Sequence, residues 1–207
     1  MQNFTDVPLK EVAKILRGVV TKPQEIKERT APENSGIFFL TVSDIQENYL
    51  SHSMKCLKNI EPREEKHCLM ENDIVIAKMG QPKTGLARDL GEKKIIVSQN
   101  LYILRFDFGR VNPVYARAFF ESALGLARLE KAYVKATIPT LPVRNLENLL
   151  IPLPEPANIS LSLEIQEGFA GKYLEVENSE QNYRLQAEEE KKKRLCLFSD
   201  FISGFFG

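Results

Sequence analysis

Short apolar runs recur along most of the chain, and their composition predicts β-strands. The runs occupy residues 37–42, 74–79, 94–97, 101–106 and 149–153. They are rich in Ile, Val and Phe, and most lack the polar alternation of a half-exposed strand, which is typical of strands buried on both faces. Because residues 74–106 contain three such runs with short links, we expect neighbouring strands in one curved sheet.

Apolar positions spaced by three and four residues predict helices elsewhere. Residues 9–18 have this spacing and end in a glycine, which predicts a short amphipathic helix. Asn112 followed by Pro113 predicts the cap and first turn of a helix that runs to about Ala132. Its predicted buried stripe consists of Tyr115, Phe119, Ala123, Leu126 and Leu129.

Three prolines precede the last quarter of the chain. Pro152, Pro154 and Pro156 predict a stiff hinge, because each fixes φ and disfavours helix in the residue before it. Residues 160–197 contain no proline, so we expect a helix of several tens of residues. An apolar seam on one face of this helix would need a partner helix. The seam consists of Ile165, Phe169, Tyr173, Val176, Tyr183 and Ala187.

These elements predict an α+β fold in two parts. A globular domain with a curved mixed or antiparallel sheet would occupy residues 1–156, and a long helical spacer and dimerisation region would occupy residues 157–207. No apolar run approaches the roughly 20 residues that a bilayer span requires. The first residues lack the basic start and apolar core of a secretory signal, so we expect a cytoplasmic protein without membrane contact.

Charge is unevenly distributed, although the net charge is zero. Residues 1–144 contain 22 Lys and Arg against 17 Asp and Glu, a net charge of +5, and residues 145–207 contain 6 against 11, a net charge of −5. This division indicates polar partners on two different surfaces. Scattered solvated charges remain an alternative interpretation.

Metal-binding and catalytic patterns in the sequence are weak. His52, Cys56, His67 and Cys68 lie in an irregular polar segment, residues 47–71, which we interpret as an excursion from the core. Adjacent His67 and Cys68 cannot easily both ligate a tetrahedral zinc ion. We therefore expect neither a metal nor a cofactor.

Two sets of residues fit the loose carboxylate-and-lysine pattern of metal-dependent nucleases. They are Asp73 with Glu92 and Lys94, and Asp44 with Glu64 and Lys66. Charged chains contain this pattern frequently by chance.

Asn112-Pro113-Val114-Tyr115 resembles the Asn-Pro-Pro-Tyr motif of amino-methyltransferases. Val114 replaces the second proline, and no glycine-rich cofactor loop precedes the motif. We therefore interpret it as a helix cap.

Two basic segments are candidates for DNA contact, because residues 78–94 and residues 128–144 each have a net charge of +3. Lysine and arginine contact phosphates, glutamine and threonine can contact phosphates or base edges, and glycine permits close approach of the backbone. The candidate DNA-binding residues are Lys78, Gly80, Gln81, Lys83, Thr84, Arg88, Lys93, Lys94, Lys131 and Lys135.

A series of short motifs resembles, in order and over almost the whole chain, the recognition domain of type I restriction-modification specificity subunits. The motifs are Leu9…Val12-Ala13…Ile15…Gly18, Phe38…Leu40-Thr41-Val42…Asp44-Ile45, Asn72-Asp73-Ile74-Val75-Ile76-Ala77-Lys78-Met79-Gly80, Ser98-Gln99-Asn100, Ala118-Phe119-Phe120…Ser122, Thr137-Ile138-Pro139 and Ile151-Pro152-Leu153-Pro154.

This resemblance implies a non-catalytic module that binds double-stranded DNA and reads one half of a bipartite target. It also implies that the long helix docks a DNA methyltransferase subunit, and a restriction subunit where the system has one. Asp73, Gly80, Asn100 and Thr137 match the family pattern and are expected to shape the DNA-facing loops, with Gln99 beside them.

A full specificity subunit resembles two such halves in tandem, whereas one half is visible here and the Pro-Leu-Pro block is not repeated. We therefore expect the helix to pair with a second copy of the chain, or with another half-specificity subunit. Two other hypotheses remain open. One is a metal-dependent nuclease that uses Asp73, Glu92 and Lys94, and the other is a helix-mediated interaction protein without DNA readout.

Overall fold

The structure is a computed structural model that describes residues 3–31, 35–46, 49–50 and 54–206, with side chains except those of Tyr49 and residues 198–206. Its strands are β1 (Phe4–Pro8), β2 (Ala13–Arg17), β3 (Ile37–Leu40), β4 (Ile45–Gln46), β5 (Tyr49–Leu50), β6 (Lys55–Cys56), β7 (Ile74–Ala77), β8 (Thr84–Leu86), β9 (Lys94–Val97), β10 (Leu101–Phe106) and β11 (Leu150–Pro154). Its α-helices are α1 (Leu9–Val12), α2 (Pro23–Glu28), α3 (Pro113–Glu121), α4 (Ala123–Ala132), α5 (Val143–Glu147) and α6 (Ile159–Phe206).

The described strands form three sheets. The largest has the order β2-β10-β7-β8-β5-β4, a second has the order β6-β3-β9, and β1 pairs with β11. Most neighbours are antiparallel, but β3 and β9 run parallel, as do β5 and β8. The predicted α+β class with mixed sheets and a long final helix is therefore confirmed.

Strand β7 lies at the centre of the fold, and both of its faces are buried. Ile74 and Ile76 belong to a core shared with α3, α4, α5 and the β1-β11 pair. Val75 and Ala77 belong to a second core shared with β3 and β9. The prediction that this apolar run is buried on both faces is confirmed, because the six-stranded sheet lies between two hydrophobic cores.

The predicted helix over residues 9–18 is wrong beyond its first turn. Helix α1 ends at Val12, and β2 follows at once, pairing with β10 from Ala13 opposite Phe106 to Arg17 opposite Tyr102. Tertiary pairing with β10 overrides the helical spacing of residues 13–17, because these residues form an edge strand of the large sheet.

The predicted single helix from Asn112 to Ala132 is two helices, α3 and α4, so its continuity is wrong while its end at Ala132 is confirmed. Its beginning is confirmed, because the Asn112 side chain accepts hydrogen bonds from the amides of Val114 and Tyr115. Ser122 then adopts an extended conformation that ends α3 and caps α4. This break turns two predicted core residues, Ala123 and Leu126, towards solvent.

The structure corrects three other predictions. Strand β9 lies in a different sheet from β7 and β10, so the three runs are not neighbours in one sheet. The prolines of residues 152–154 do not form a hinge, because they belong to β11 and pair with β1. The segment 47–71 is not wholly an excursion, since Leu57 and Leu69 are buried; residues 47–48 and 51–53, including His52, lie outside the described residues.

The chain divides into two compact units, residues 1–166 and residues 167–207. Helix α6 begins in the first unit, where the buried Gln166 side chain accepts from the Asn112 amide and donates to the Arg110 carbonyl. The second unit consists of the remainder of α6. None of the helices in the described part of the chain has an apolar stretch long enough to cross a bilayer.

Candidate nucleic-acid interface

Three loops that are far apart in the sequence meet at one end of the large sheet. Residues 78–83 connect β7 to β8, residues 98–100 connect β9 to β10, and residues 134–140 follow α4. We call these three segments the loop surface. It contains eight of the thirteen predicted DNA-binding residues. The predicted residues in the loop surface are Lys78, Gly80, Gln81, Lys83, Gln99, Asn100, Lys135 and Thr137.

Backbone hydrogen bonds hold the three loops together. The Lys78 amide donates to the Asn100 carbonyl at 2.8 Å, and the Gly80 amide donates to the Pro139 carbonyl at 2.9 Å. The Lys78 carbonyl also accepts from the Leu141 amide at 2.9 Å. Gly80 has a φ of +83°, a conformation that favours glycine, so this residue fits the turn that brings its amide to Pro139.

Two buried tyrosines fix the base of the loop surface. The Tyr102 hydroxyl donates to the Leu141 carbonyl at 3.0 Å, and the Tyr133 hydroxyl donates to the Ala77 carbonyl. Burial raises the pKa of both phenols, so each remains a hydrogen-bond donor at neutral pH. These bonds hold the backbone just before the first loop and just after the third loop.

The loop surface is positively charged. Its three segments contain Lys78, Lys83 and Lys135 and no acidic residue. Lys131 is exposed in the last turn of α4, just before the third loop. Gln81, Gln99, Asn100 and Thr137 are also exposed. The arrangement offers cations and amides on one surface, which is the chemistry that binds phosphates and base edges.

Two of the predicted residues at this end have contacts within the protein. Thr84 is buried in β8, so its hydroxyl is not exposed to a ligand. The Lys83 ammonium lies 3.4 Å from the Ile45 carbonyl, although the residue as a whole is exposed.

Arg88, Lys93 and Lys94 lie at the other end of the sheet strands. Arg88 follows β8 where Leu86 pairs with Ile74, at the start of β7. Lys94 begins β9, and the Gln99 turn follows the end of that strand, five residues and about 16 Å away at the rise of an extended chain. The structure thus separates these three cations from the loop surface.

Arg17 is a candidate that the sequence did not reveal. It ends β2, is exposed, and lies opposite Tyr102 at the loop-surface end of the sheet. Burial raises the Tyr102 pKa, and the positive charge of Arg17 offsets part of this rise. This opposing effect indicates that the Arg17 guanidinium is close to the phenol. Only the pairing of β2 with β10 reveals this position, and residues 9–18 read as a helix in sequence.

Asp73 is a buried structural carboxylate. It is 1% exposed, and its two oxygens accept from Arg105 Nε at 2.9 Å and Nη2 at 2.7 Å. The Met70 amide donates to the same carboxylate at 2.8 Å. Asp73 therefore lies outside the loop surface, and both of its oxygens accept hydrogen bonds within the protein.

The second carboxylate set is also engaged in internal contacts. Asp44 accepts from the amide and hydroxyl of Thr41, and the buried Glu64 forms a bidentate pair with Arg29 at 2.7 and 2.8 Å. His67 Nδ1 lies 2.7 Å from the Arg17 carbonyl oxygen. Within the described ranges, no cluster of three His, Cys, Asp or Glu side chains is arranged to hold a metal ion.

Part of the predicted helix seam is strongly exposed. Val176 is 69% exposed and Tyr183 is 71% exposed, and Ala187 is exposed as well. Ile165 and Tyr173 are half-buried, and the rings of Phe169 and Tyr173 stack with centroids 6.0 Å apart.

Neither a family model nor a curated protein matches this sequence, but solved structures match its fold. The S subunit of a type I restriction-modification system from M. genitalium matches at a TM-score of 0.56 and 18% identity, over 86% of this chain and 41% of that chain. The HsdS subunit from Thermoanaerobacter tengcongensis matches at a TM-score of 0.57 and 18% identity, over 85% of this chain and 37% of that chain.

A third match is a chain from a structure of complex assembly and conformational transition in the type I R-M system, at a TM-score of 0.64 and 20% identity, over 93% of this chain and 43% of that chain. The resemblance in the sequence motifs is thus confirmed as a likeness in fold. The chain spans about two fifths of the length of the solved chains it matches.

Proposed function

We propose that this chain is a DNA-specificity module of a type I restriction-modification system, and that its loop surface reads one half of a bipartite duplex target. One observation carries the proposal: backbone hydrogen bonds bring three loops from separate parts of the sequence together at one end of the large sheet. These loops contain lysines and exposed amides but no acidic residue. The fold likeness to type I specificity subunits supports it.

Each component of the loop surface has a part in DNA binding. Lys78, Lys83 and Lys135 would neutralise phosphates and release counterions, which accounts for affinity but not for sequence preference. The bare backbone at Gly80 would allow a strand of the duplex to approach closely. Exposed amides would then read base edges.

The module would position an enzyme and not act as one. Within the described residues, the carboxylates of the two nuclease-like patterns include Asp73, Asp44 and Glu64, and all three are held by protein groups. This engagement favours recognition over the nuclease hypothesis, because a catalytic metal needs carboxylate oxygens that are free to coordinate it.

Helix α6 would supply the protein contacts. We propose that it docks a methyltransferase subunit and pairs with a second copy of the chain or with another half-specificity subunit, which would read the other half of the target. Support comes from Val176 and Tyr183, exposed apolar residues seven positions apart, the spacing of a coiled-coil seam.

We expect Lys135→Ala to weaken binding of a mixed-sequence duplex by about eightfold at 0.1 M salt. The negative slope of log affinity against log salt should become shallower by about 1. Lys93→Ala removes the same charge at the far end of β9 and should leave both values nearly unchanged, since screening acts over about 10 Å at this salt. Fluorescence anisotropy titrations from 0.05 to 0.3 M salt measure both quantities. Equal losses in the two variants would contradict the proposed interface.

The helix pairing has a separate test. Val176→Glu should raise the dissociation constant of a helix-mediated dimer by more than about tenfold, because pairing would bury an unpartnered charge. Asn178→Glu adds the same charge on the opposite face of α6 and should leave the dimer intact. Sedimentation equilibrium of the intact chain gives the mass of each variant. A wild-type monomer at high concentration would argue against self-pairing.

A further inference from the structure

Three large apolar side chains are exposed on the loop surface. Met79 is 37% exposed, Val134 is 48% exposed and Ile138 is 56% exposed. Met79 and Val134 both form β-bridges to Thr140, and Ile138 lies in the loop that the second bridge closes. The three residues therefore form one apolar patch beside the lysines and amides of the loop surface.

Backbone hydrogen bonds close the loop that carries Ile138. The Val134 amide donates to the Thr140 carbonyl at 2.8 Å, and the Thr140 amide donates back at 3.2 Å. Pro139 restricts the conformation of Ile138, and its carbonyl accepts from Gly80. A loop whose backbone is already constrained loses less conformational entropy when it binds a ligand.

Exposed amides accompany the apolar patch. Gln81 follows Met79 and Gly80 in the first loop, and Gln99 and Asn100 form the second. All three residues are exposed, so their side-chain amides can be reached by a ligand.

We propose that the apolar patch and these amides form a subsite that recognises an A·T base pair from the major groove, an inference that rests on the proposed function. In that groove adenine presents the N7 acceptor and N6 donor that a glutamine or asparagine amide pairs with, and thymine presents its C5-methyl group. The loop surface offers the complement of both partners, an amide and an apolar contact. Its lysines and lack of acidic residues favour DNA over an apolar protein partner.

The test begins with a pool of 30-base-pair duplexes whose central positions are randomised. Wild-type protein should select a motif with at least one invariant A·T pair. Replacing that thymine by deoxyuridine, which removes only the methyl group, should weaken binding about fourfold. Ile138→Ala should lose a similar factor on the thymine duplex and show little further loss on the deoxyuridine duplex. Because the deoxyuridine duplex needs no protein variant, it tests the methyl contact even where a variant fails to fold.

Different results would overturn different claims. If every invariant A·T pair tolerates deoxyuridine without loss, or if the two losses multiply, the apolar patch does not contact a thymine methyl group. If the motif contains no A·T pair, the subsite is also rejected. If wild-type protein neither selects a motif nor binds duplexes in a salt-dependent manner, the proposed function itself fails. Lys135→Ala should bind more weakly but select the same motif, which distinguishes phosphate contact from base readout.

Discussion

Replacing Gly18 by alanine is expected to destabilise the unit formed by residues 1–166 by about 3 kcal/mol or more, one of the largest effects of any single methyl group in this chain. A Cβ atom at this position would lie 1.9 Å from the Ser98 carbonyl oxygen and 2.6 Å from that of Val97. Both contacts are with backbone, so no side-chain rotation relieves them. Urea unfolding of the purified intact chain measures the change in the free energy of unfolding.

The Gly18 segment cannot move aside without breaking hydrogen bonds. Its amide donates to the Leu101 carbonyl, and the Val19 amide donates to the Val97 carbonyl at 2.7 Å. These bonds join the end of β2 to the turn that carries Gln99 and Asn100. The substitution should therefore reduce DNA binding as well as stability.

Gly168→Ala is the matched control for the same change. A Cβ atom at Gly168 would meet nothing within 4 Å, and the residue lies within α6. Alanine should stabilise this exposed helix by about 0.5–1 kcal/mol. Equal unfolding midpoints for the two variants would contradict the predicted steric cost of a methyl group at Gly18.

Asp73→Asn is expected to cost about 3 kcal/mol of folding free energy. The substitution keeps the size of the side chain but removes the charge that faces Arg105 across two hydrogen bonds of 2.9 and 2.7 Å. A guanidinium left beside a neutral amide in a largely buried site loses most of its compensation. The estimate lies at the low end for buried pairs, because Arg105 is partly exposed. Thermal and urea unfolding measure the loss.

The same substitution separates the present account from the nuclease hypothesis. Glu92 is exposed, so Glu92→Gln should leave stability unchanged. A nuclease that used Asp73, Glu92 and Lys94 would lose magnesium-dependent plasmid cleavage in both variants. Our account predicts destabilisation in Asp73→Asn alone and no cleavage by the wild-type chain. Cleavage that Glu92→Gln abolishes would favour the nuclease.

The sequence predicts local structure well where local chemistry decides it. The doubly buried run at residues 74–77 and the Asn112 cap are both confirmed, because composition and side-chain hydrogen bonding specify them without distant partners. Ser122 shows the limit. Its flanks have helical spacing, but the chain turns at Ser122 and brings Gly125 so close to Phe119 that a Cβ atom at Gly125 would lie 1.9 Å from the Phe119 carbonyl oxygen. The sequence spacing does not reveal this close approach.

The candidate interface depends on tertiary pairing that the sequence does not encode locally. Nothing in residues 78–83 indicates that Gly80 donates to Pro139, more than fifty positions away. The sequence does not reveal Arg17, because residues 9–18 have the apolar spacing of a helix, and Arg88 is close to Lys83 only in sequence. Strand direction separates the last two, since β8 carries the chain from one end of the sheet to the other.

Hydrogen–deuterium exchange of the intact chain, with and without the selected duplex, tests the central claim most directly. If the loop surface binds DNA, amides in residues 78–83 and 134–140 should exchange more slowly in the complex, while those in residues 88–94 should not change. Protection confined to residues 88–94, with no change in the loop surface, would contradict the account.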